Sequence, residues 1–136
     1  MVRERAAVQG SRALLLPHDN PDPDSLAAAL GLSRLLSREG IDCTIGMAGI
    51  IGRAENRAMV RELKFDLKPI ENLDLDSFGF IALLDTQPGT GNNSLPAGRL
   101  PDIVIDHHPL RALSQQVPWC DIRPEFGGSC TIVWAY

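Results

Sequence analysis

The sequence His18-Asp19-Asn20-Pro21-Asp22-Pro23-Asp24-Ser25 follows the apolar run Ala13-Leu14-Leu15-Leu16 and precedes a segment rich in alanine and leucine. Its two prolines fix φ and remove backbone donors, so the segment cannot begin as an ordinary helix. Asp22 is suitably placed as an N-cap, and Pro23 as the first residue of a helix that extends to about Arg38. We therefore predict a strand, a rigid acidic loop and a helix in succession.

The acidic loop carries one imidazole and three carboxylates, and two of the carboxylates, Asp22 and Asp24, lie near the predicted helix N-terminus. The helix dipole helps to keep these two groups ionised. Like charges this close repel each other, and hard divalent cations are the usual remedy. A capped turn with its acids in water is the alternative interpretation. His18, placed at the end of the predicted strand, favours a metal site.

Length and composition indicate a single globular domain with a proper core. The chain has 136 residues, of which 44% are hydrophobic, and no apolar run approaches the length of a membrane span. The net charge of −4 argues against broad nucleic-acid binding, so we expect no stable binding of double-stranded nucleic acid. The three cysteines form no Cys-x-x-Cys pair, which favours a reducing compartment, and we expect a cytoplasmic location.

Further strands and helices are predicted from short apolar runs and helical periodicity. Short runs without alternation, separated by helices, are typical of strands buried on both faces of a parallel sheet. We therefore predict an α/β fold, a mostly parallel sheet with helices on both faces and a metal site at the carboxyl ends of the strands. The predicted strands are Arg12–Leu16, Cys43–Met47, Phe78–Leu84, Ile103–Ile105 and Val117–Ile122; the predicted helices are Pro23–Arg38, Ala54–Leu63 and one starting at Gly127-Gly128-Ser129, and Pro69–Asp76 is predicted to be irregular.

Three of the apolar runs end in residues that can bind a metal. The endings are His18 after the first run, Asp85 after Leu84, and Asp106-His107-His108 after Ile105. Ligands of an open parallel sheet gather outside the carboxyl ends of its strands, so these side chains should converge. Histidine with several aspartates suits manganese better than calcium, which prefers oxygen ligands alone. We predict a site for two Mn2+ ions, with Mg2+ or Co2+ as possible substitutes.

Two glycine-containing loops and the serines were also considered as functional sites. Gly89–Ser94 follows a strand as a dinucleotide fingerprint would, but it lacks the third glycine, and Leu95-Pro96 stands where a helix should open. Gly127-Gly128-Ser129-Cys130-Thr131 could cradle a phosphate at a helix N-terminus, and a plain N-cap is an equally good interpretation. No serine has the sequence context of a nucleophile elbow, which argues against a covalent hydrolase.

These motifs, in this order, resemble those of the DHH phosphoesterase superfamily. The segment 18–25 is similar to its first motif, His-x-x-Pro-Asp-x-Asp-Ser/Ala, and Leu84-Asp85 to its second. Asp106-His107-His108 resembles the signature that names the superfamily, and Gly127–Thr131 resembles its small-residue helix start. The superfamily includes RecJ-type exonucleases, family II inorganic pyrophosphatases, exopolyphosphatases and oligoribonuclease/phosphoadenosine-phosphate phosphatases. The first motif and the compact spacing look most like the last of these branches.

The resemblance implies a ligand set for two ions. One ion would be held by His18, Asp22 and Asp85, and the other by Asp24, His107 and Asp85, which would bridge the two. The bridged ions would make a water molecule nucleophilic at neutral pH and stabilise an in-line displacement at phosphorus. The implied activity is therefore that of a two-metal phosphoesterase acting through a metal-bridging hydroxide.

The resemblance also implies roles outside the metal ligands. Asp106 would orient a histidine, as ligating imidazoles generally require, and His108 would contact the scissile phosphate or assist the leaving group. Contacts to the substrate are predicted for Asn20, Gly128 and Ser129. The implied substrates are short RNA or other short oligonucleotides, or nucleoside bisphosphates. An exopolyphosphatase or inorganic pyrophosphatase specificity, and a non-catalytic module binding nucleotides or polyphosphate, are the alternatives.

The end of the sequence leads to further expectations. The superfamily carries another acidic ligand and a C-terminal substrate domain well beyond the signature, whereas residues 109–136 alone follow His108. We therefore expect residues 1–136 to be the N-terminal catalytic domain of a longer protein, weak or inactive by itself. The apolar side of the last helix would then be uncovered and could form a homodimer. Asp19, at a variable position of the first motif, is expected to face solvent.

Overall fold

The computed structural model describes residues 12–136, which form a six-stranded, entirely parallel sheet with the strand order β3-β2-β1-β4-β5-β6. The strands are β1 (Arg12–Pro17), β2 (Asp42–Met47), β3 (Leu67–Pro69), β4 (Phe80–Leu84), β5 (Ile103–Asp106) and β6 (Trp119–Ile122). The helices are α1 (Pro23–Arg38), α2 (Ala54–Glu62) and α3 (Ser129–Trp134), and short 3-10 helices occupy Ile70–Asn72, Leu75–Ser77 and Ala112–Gln116. The predicted α/β fold is confirmed.

The central strand β1 is buried on both faces. Ala13 and Leu15 belong to one apolar cluster, and Leu14 and Leu16 belong to another on the opposite side of the sheet. This division follows from the strand geometry, because successive side chains point to opposite faces. The first cluster includes residues of α1 and α3, and the second is completed by residues of the 3-10 helices and loops. A continuous apolar run was therefore the right pattern for this strand.

Helix α1 begins as the sequence predicts. The Asp22 carboxylate accepts a 2.9 Å hydrogen bond from the Ser25 amide, and the Ser25 hydroxyl accepts one of 3.1 Å from the Asp22 amide. This reciprocal capping box, followed by Pro23, satisfies backbone donors that would otherwise lack partners. Gly40, with a φ of 77°, follows the C-cap and ends the helix as predicted.

Two predictions about the edges of the fold need correction. The three-residue strand β3, which pairs with β2 at the edge of the sheet, was not predicted, and its last residue, Pro69, falls in the segment predicted to be irregular. Proline is tolerated there because an edge strand does not need every backbone donor. The apolar side of α3 is covered rather than exposed, since Ile132 and Val133 are buried in the cluster that contains α1. Trp134, by contrast, is 86% exposed.

The strand order places three candidate site segments side by side. The chain moves from β1 to β2 on one side, whereas β4 lies on the other side of β1, so the order reverses between β1 and β4. The register aligns Pro17 with Leu84 and Leu84 with Ile105. The residues that follow these strand ends therefore emerge next to one another, at the topological switch point where open α/β sheets bind ligands.

Candidate metal centre

Asp85 lies at the centre of the site, directly after β4. Its side chain is almost fully buried, with a residue exposure of 3%. Its Oδ2 lies 3.6 Å from Nε2 of His18, and its Oδ1 lies 3.4 Å from Nε2 of His107. Its φ of 61° is in the left-handed region, which aspartate tolerates better than most residues and which is frequent at functional sites. One carboxylate thus faces a different imidazole with each oxygen.

Hydrogen bonds to the backbone orient both imidazoles. His18 Nδ1 lies 2.8 Å from the carbonyl oxygen of Asp19, and His107 Nδ1 lies 3.2 Å from that of Phe126. A carbonyl oxygen can only accept, so the hydrogen sits on Nδ1 in each ring, and the lone pair of the neutral ring sits on Nε2. Metal-binding histidines typically have this arrangement, in which the second nitrogen donates to a fixed acceptor.

Two groups of side chains have the spacing of metal ligands. The potential ligand atoms of His18, Asp22 and Asp85 lie within 4.8 Å of one another, and so do those of Asp85, His107 and His108. The first group equals the ligand set predicted for one ion. The second shares Asp85 and His107 with the set predicted for the other ion but contains His108 where Asp24 was predicted. The structure therefore brings the predicted ligands together, while their roles remain predictions.

Asp24 lies beside the second group but uses both oxygens elsewhere. Its Oδ2 lies 3.8 Å from His107 Nε2. The two oxygens also accept hydrogen bonds from the amides of Ser129 at 2.9 Å and Cys130 at 2.8 Å. Burial raises the pKa of Asp24, but the hydrogen bonds from Cys130 and Ser129 outweigh this effect and hold the pKa below its ordinary value. Asp24 is therefore kept ionised beside the imidazole.

The start of α3 therefore binds a carboxylate of the chain itself. Two of the amides in the segment predicted to cradle a phosphate, those of Ser129 and Cys130, are occupied by Asp24. The hydroxyl of Ser129, which is fully buried, donates to Asp85 Oδ1 at 2.8 Å. Gly128 lies so close that an added Cβ would be 2.8 Å from Asp24 Oδ1. The substrate contacts of Ser129 and Gly128 stay predictions; the structure gives both residues contacts with predicted metal ligands.

The environment of Asp85 makes its ionised form less stable than in water when no cation is present. Burial raises its pKa to about 6, and repulsion from Asp24 and Asp22 acts in the same direction. The hydrogen bond from Ser129 and the charge of His18 oppose the increase. A divalent cation would reverse this balance, because it stabilises the ionised carboxylate directly.

Asp106 and His108 form a hydrogen-bonded pair beside Asp85. Asp106 is buried, and its Oδ1 lies 2.8 Å from Nδ1 of His108. The hydrogen bond to Asp106 raises the pKa of His108, more strongly than its partial burial lowers it. The His108 side chain is 56% exposed. Asp106 therefore does orient a histidine, and that histidine remains accessible from solution.

Two side chains of the first motif form hydrogen bonds with the loops that follow β2 and β4. Asn20, at a φ of 52°, accepts a 2.9 Å hydrogen bond from the Ile50 amide through Oδ1. Its substrate contact stays a prediction. Asp19 is only partly exposed, and its Oδ1 accepts a 2.8 Å hydrogen bond from the Ser94 hydroxyl. The expectation that Asp19 simply faces solvent is therefore wrong, because its carboxylate fastens the loop after β4.

Sequence reasoning missed one buried side chain at the site, Gln87. It is fully buried, and its Nε2 donates to Asp106 Oδ2 at 2.6 Å. A glutamine three positions after a strand has no periodicity or charge that would single it out. The sequence signal that could have found it is its position, two residues after Asp85 and close to the end of a buried strand.

Within residues 12–136, no helix has both the length and the apolar character that crossing a membrane requires.

No protein-family model matches the sequence. An uncharacterized protein of Methanocaldococcus jannaschii is 41% identical over 125 residues, which cover 90% of this chain and 25% of that protein. A probable manganese-dependent inorganic pyrophosphatase of Deinococcus radiodurans is 33% identical over 99 residues, 71% of this chain and 30% of that protein. The chain therefore spans between a quarter and a third of the length of these relatives.

Among solved structures, an exopolyphosphatase-related protein from Bacteroides fragilis is similar, with a TM-score of 0.56 and 14% sequence identity. The match covers 98% of this chain and 42% of that chain. At this identity the likeness concerns the fold, and nearly the whole chain takes part in it. The chain thus shares its parallel α/β architecture with that protein.

Proposed function

We propose that this chain is the metal-binding part of a DHH-like phosphohydrolase that uses two divalent ions, with manganese as the preferred metal. The observation that carries the proposal is the position of Asp85 between two imidazoles. Its two carboxylate oxygens lie 3.6 Å and 3.4 Å from the Nε2 atoms of His18 and His107. A carboxylate that faces one nitrogen ligand with each oxygen is suited to bridge two ions.

The donor set fits a metal better than a purely structural cluster. Asp85 is buried beside two further carboxylates, Asp22 and Asp24, and its ion-pair partners in residues 12–136 are histidines. A buried carboxylate beside two partly exposed carboxylates, without a strong counter-charge, is costly. Mixed nitrogen and oxygen ligands suit manganese and cobalt, whereas calcium prefers oxygen alone. The relative from Deinococcus radiodurans, a probable manganese-dependent inorganic pyrophosphatase, supports the same metal.

When bound, the ions would lower the pKa of water and stabilise negative charge during displacement at phosphorus. His18, Asp22 and Asp85 would hold one ion, and Asp24, His107 and Asp85 the other. His108 donates its Nδ1 hydrogen to Asp106 at 2.8 Å, and this bond favours the protonated imidazole. Its Nε2 hydrogen is then available to a phosphate oxygen or to the oxygen of a leaving group.

For the substrate we propose short oligonucleotides or nucleoside bisphosphates, in line with the resemblance of the first motif. The similarity to the probable inorganic pyrophosphatase of Deinococcus radiodurans favours a second candidate substrate, pyrophosphate or polyphosphate, in which a phosphoanhydride bond would be cleaved. A site that binds such phosphates without hydrolysing them is the third possibility. All three require the same metal centre and differ in what happens to the bound phosphate.

Calorimetric titration of this chain with Mn2+, and a hydrolysis panel on a longer protein that contains the chain, test the proposal together. We expect two ions to bind per chain. In the longer protein we expect the release of nucleotides from short RNA, or of phosphate from phosphoadenosine phosphate, to exceed the release of phosphate from pyrophosphate and polyphosphate. Absence of Mn2+ binding would overturn the metal centre itself. Binding with release from pyrophosphate or polyphosphate alone would establish the second candidate. Binding of ions and phosphates without release from any substrate would identify a non-catalytic module.

A further inference from the structure

The buried side chain of Gln87 uses both ends of its amide. Nε2 donates to Oδ2 of Asp106 at 2.6 Å and to the carbonyl oxygen of Pro109 at 3.0 Å. Oε1 accepts from the amide of Arg111 and from the hydroxyl of Ser114, each at 2.8 Å. With the carbonyl oxygen of His108 at 3.5 Å, three acceptors face the amide nitrogen and two donors face the amide oxygen, which fixes the orientation of the amide.

The two carboxylate oxygens of Asp106 have different partners, and Gln87 binds one of them. Oδ2 is held by Gln87, while Oδ1 accepts from the His107 amide at 2.9 Å and pairs with His108 Nδ1 at 2.8 Å. A buried carboxylate bonded through both oxygens cannot rotate without losing a charge-assisted hydrogen bond. Gln87 thus determines which way Asp106 presents Oδ1, and Asp106 in turn fixes the His108 ring.

We propose that Gln87 is a positioning residue for the His108 imidazole and acts through Asp106. The inference rests on the proposed function, in which His108 gives a proton to the leaving group. Without the Nε2 donor, Asp106 Oδ2 loses its bond, the carboxylate can turn, and the His108 ring loses its fixed orientation. The predicted metal ligands are left in place. The result is a defect in proton donation with little change in metal binding.

A purely structural role for Gln87 makes a different prediction. Its oxygen also fastens the segment 109–114, so its loss could act by loosening that loop. Ser114→Ala removes one bond of this anchor and leaves the bond between Gln87 and Asp106 intact. Gln87→Met removes all bonds of the amide at similar volume. Gln115→Ala, at an exposed neighbouring position, is the control for an unrelated change.

Two phosphodiesters that differ only in their leaving group provide the test, with a manganese-loaded longer protein that contains this chain. A nitrophenolate leaves without a proton, whereas a nucleoside hydroxyl needs one. General acid catalysis contributes ~100- to 10,000-fold to a rate, and a misplaced ring should lose a fraction of that. We therefore expect Gln87→Met to lower kcat on the nucleoside substrate by about tenfold or more, and to change kcat on the nitrophenyl substrate much less. KM should change little on either substrate. An equal loss on both, or the same pattern in Ser114→Ala, would overturn the inference.

A second readout separates this inference from the proposed function. If the unaltered chain binds no Mn2+, or a longer protein that contains it releases no product, the proposed function fails, and NMR of the His108 ring nitrogens decides the positioning role. At a pH where the ring is neutral, we expect a single tautomer with a bonded Nδ1 hydrogen in the unaltered chain and in Ser114→Ala. In Gln87→Met that signal should give way to a mixture of tautomers. An unchanged His108 spectrum in Gln87→Met would show that Gln87 does not position the ring.

Discussion

The hydroxyl of Ser129 donates a 2.8 Å hydrogen bond to Oδ1 of Asp85, which lies 44 residues earlier in the chain. Both side chains are buried, and the bond joins the first residue of α3 to the end of β4. Asp24 adds two further bonds to the same turn of α3, through the amides of Ser129 and Cys130. The short helix α3 therefore holds two of the predicted metal ligands.

Replacing this serine should weaken both the fold and the proposed metal site. In Ser129→Ala the buried carboxylate of Asp85 loses a donor, and we expect the free energy of unfolding to fall by about 1–3 kcal/mol. Loss of a bond to the ionised form raises the pKa of Asp85 further, so Mn2+ should bind more weakly at neutral pH. Urea unfolding and Mn2+ titration measure the two effects. Thr131→Ala, exposed in the same helix, is the control, and equal behaviour of the two variants would contradict the supporting role of Ser129.

Substitutions at Asp85 and Asp19 should affect stabilisation by Mn2+ differently. Asp85 is proposed to bridge the two ions, whereas the nearby carboxylate of Asp19 is bonded to Ser94. Asp85→Asn keeps the size of the side chain and its tolerance of a positive φ but removes the charge. We expect it to abolish the increase in melting temperature caused by Mn2+. Asp19→Asn should keep most of this increase. Melting curves with Mn2+ and with EDTA give the comparison, and an equal loss in both variants would refute the bridging role.

The strands that carry the site could be predicted because their environment leaves a clear pattern. β1 and β4 are buried on both faces and therefore read as continuous apolar runs, and each is followed by a residue that can bind a metal, His18 or Asp85. The N-cap Asp22 and the first helical residue Pro23 could be predicted for a similar reason, since aspartate and proline have local backbone effects. In each case the determinant lies within a few residues of the element that it specifies.

The remaining features depend on contacts between distant parts of the chain. The acceptor of His107 Nδ1 is the backbone carbonyl of Phe126, and a carbonyl is present at every position of any sequence. The amides that bind Asp24 belong to residues more than 100 positions away. Strand β3 has three residues, one of which is proline, and this composition does not favour a strand. Its extended conformation therefore depends on pairing with β2. The pattern of residue types along the sequence does not identify such partners.

The proposed metal site should respond to pH through Asp85. Its pKa in the folded chain is about 6, above the ordinary value of 3.8. Without metal, the folded state therefore binds this proton more tightly than the unfolded state. The resulting stabilisation is fully present below about pH 4 and is lost as the pH rises through about 6.

Mn2+ must displace that proton, so its stabilising effect should have the opposite pH dependence. At ~100 times its Kd a ligand of the native state adds about 2.7 kcal/mol to the free energy of unfolding. We expect close to this value at about pH 7.5 and much less at about pH 5, where Asp85 is largely protonated. Melting curves with Mn2+ and with EDTA at the two pH values measure the difference. An identical Mn2+ effect at both would argue against Asp85 as a ligand.

The neighbouring glycines before α3 offer a matched pair of substitutions. An added Cβ at Gly128 would lie 2.8 Å from Oδ1 and 3.1 Å from Cγ of Asp24, whereas one at Gly127 would meet no atom within 4 Å. Gly128 has an extended backbone with a φ of −170°, so the expected effect is steric and not one of backbone strain.

Gly128→Ala should push the Asp24 carboxylate away from the α3 amides, because the short side chain cannot move and keep both hydrogen bonds. We expect the free energy of unfolding to fall by about 1–3 kcal/mol, as in other overpacked sites. Mn2+ affinity should fall with it, since Asp24 would no longer lie beside His107. Gly127→Ala should stay within about 0.5 kcal/mol of the unaltered chain and keep its Mn2+ affinity. Urea unfolding and calorimetric titration of both variants are decisive: similar losses in the two would show that the loop, and not the contact with Asp24, is sensitive to substitution.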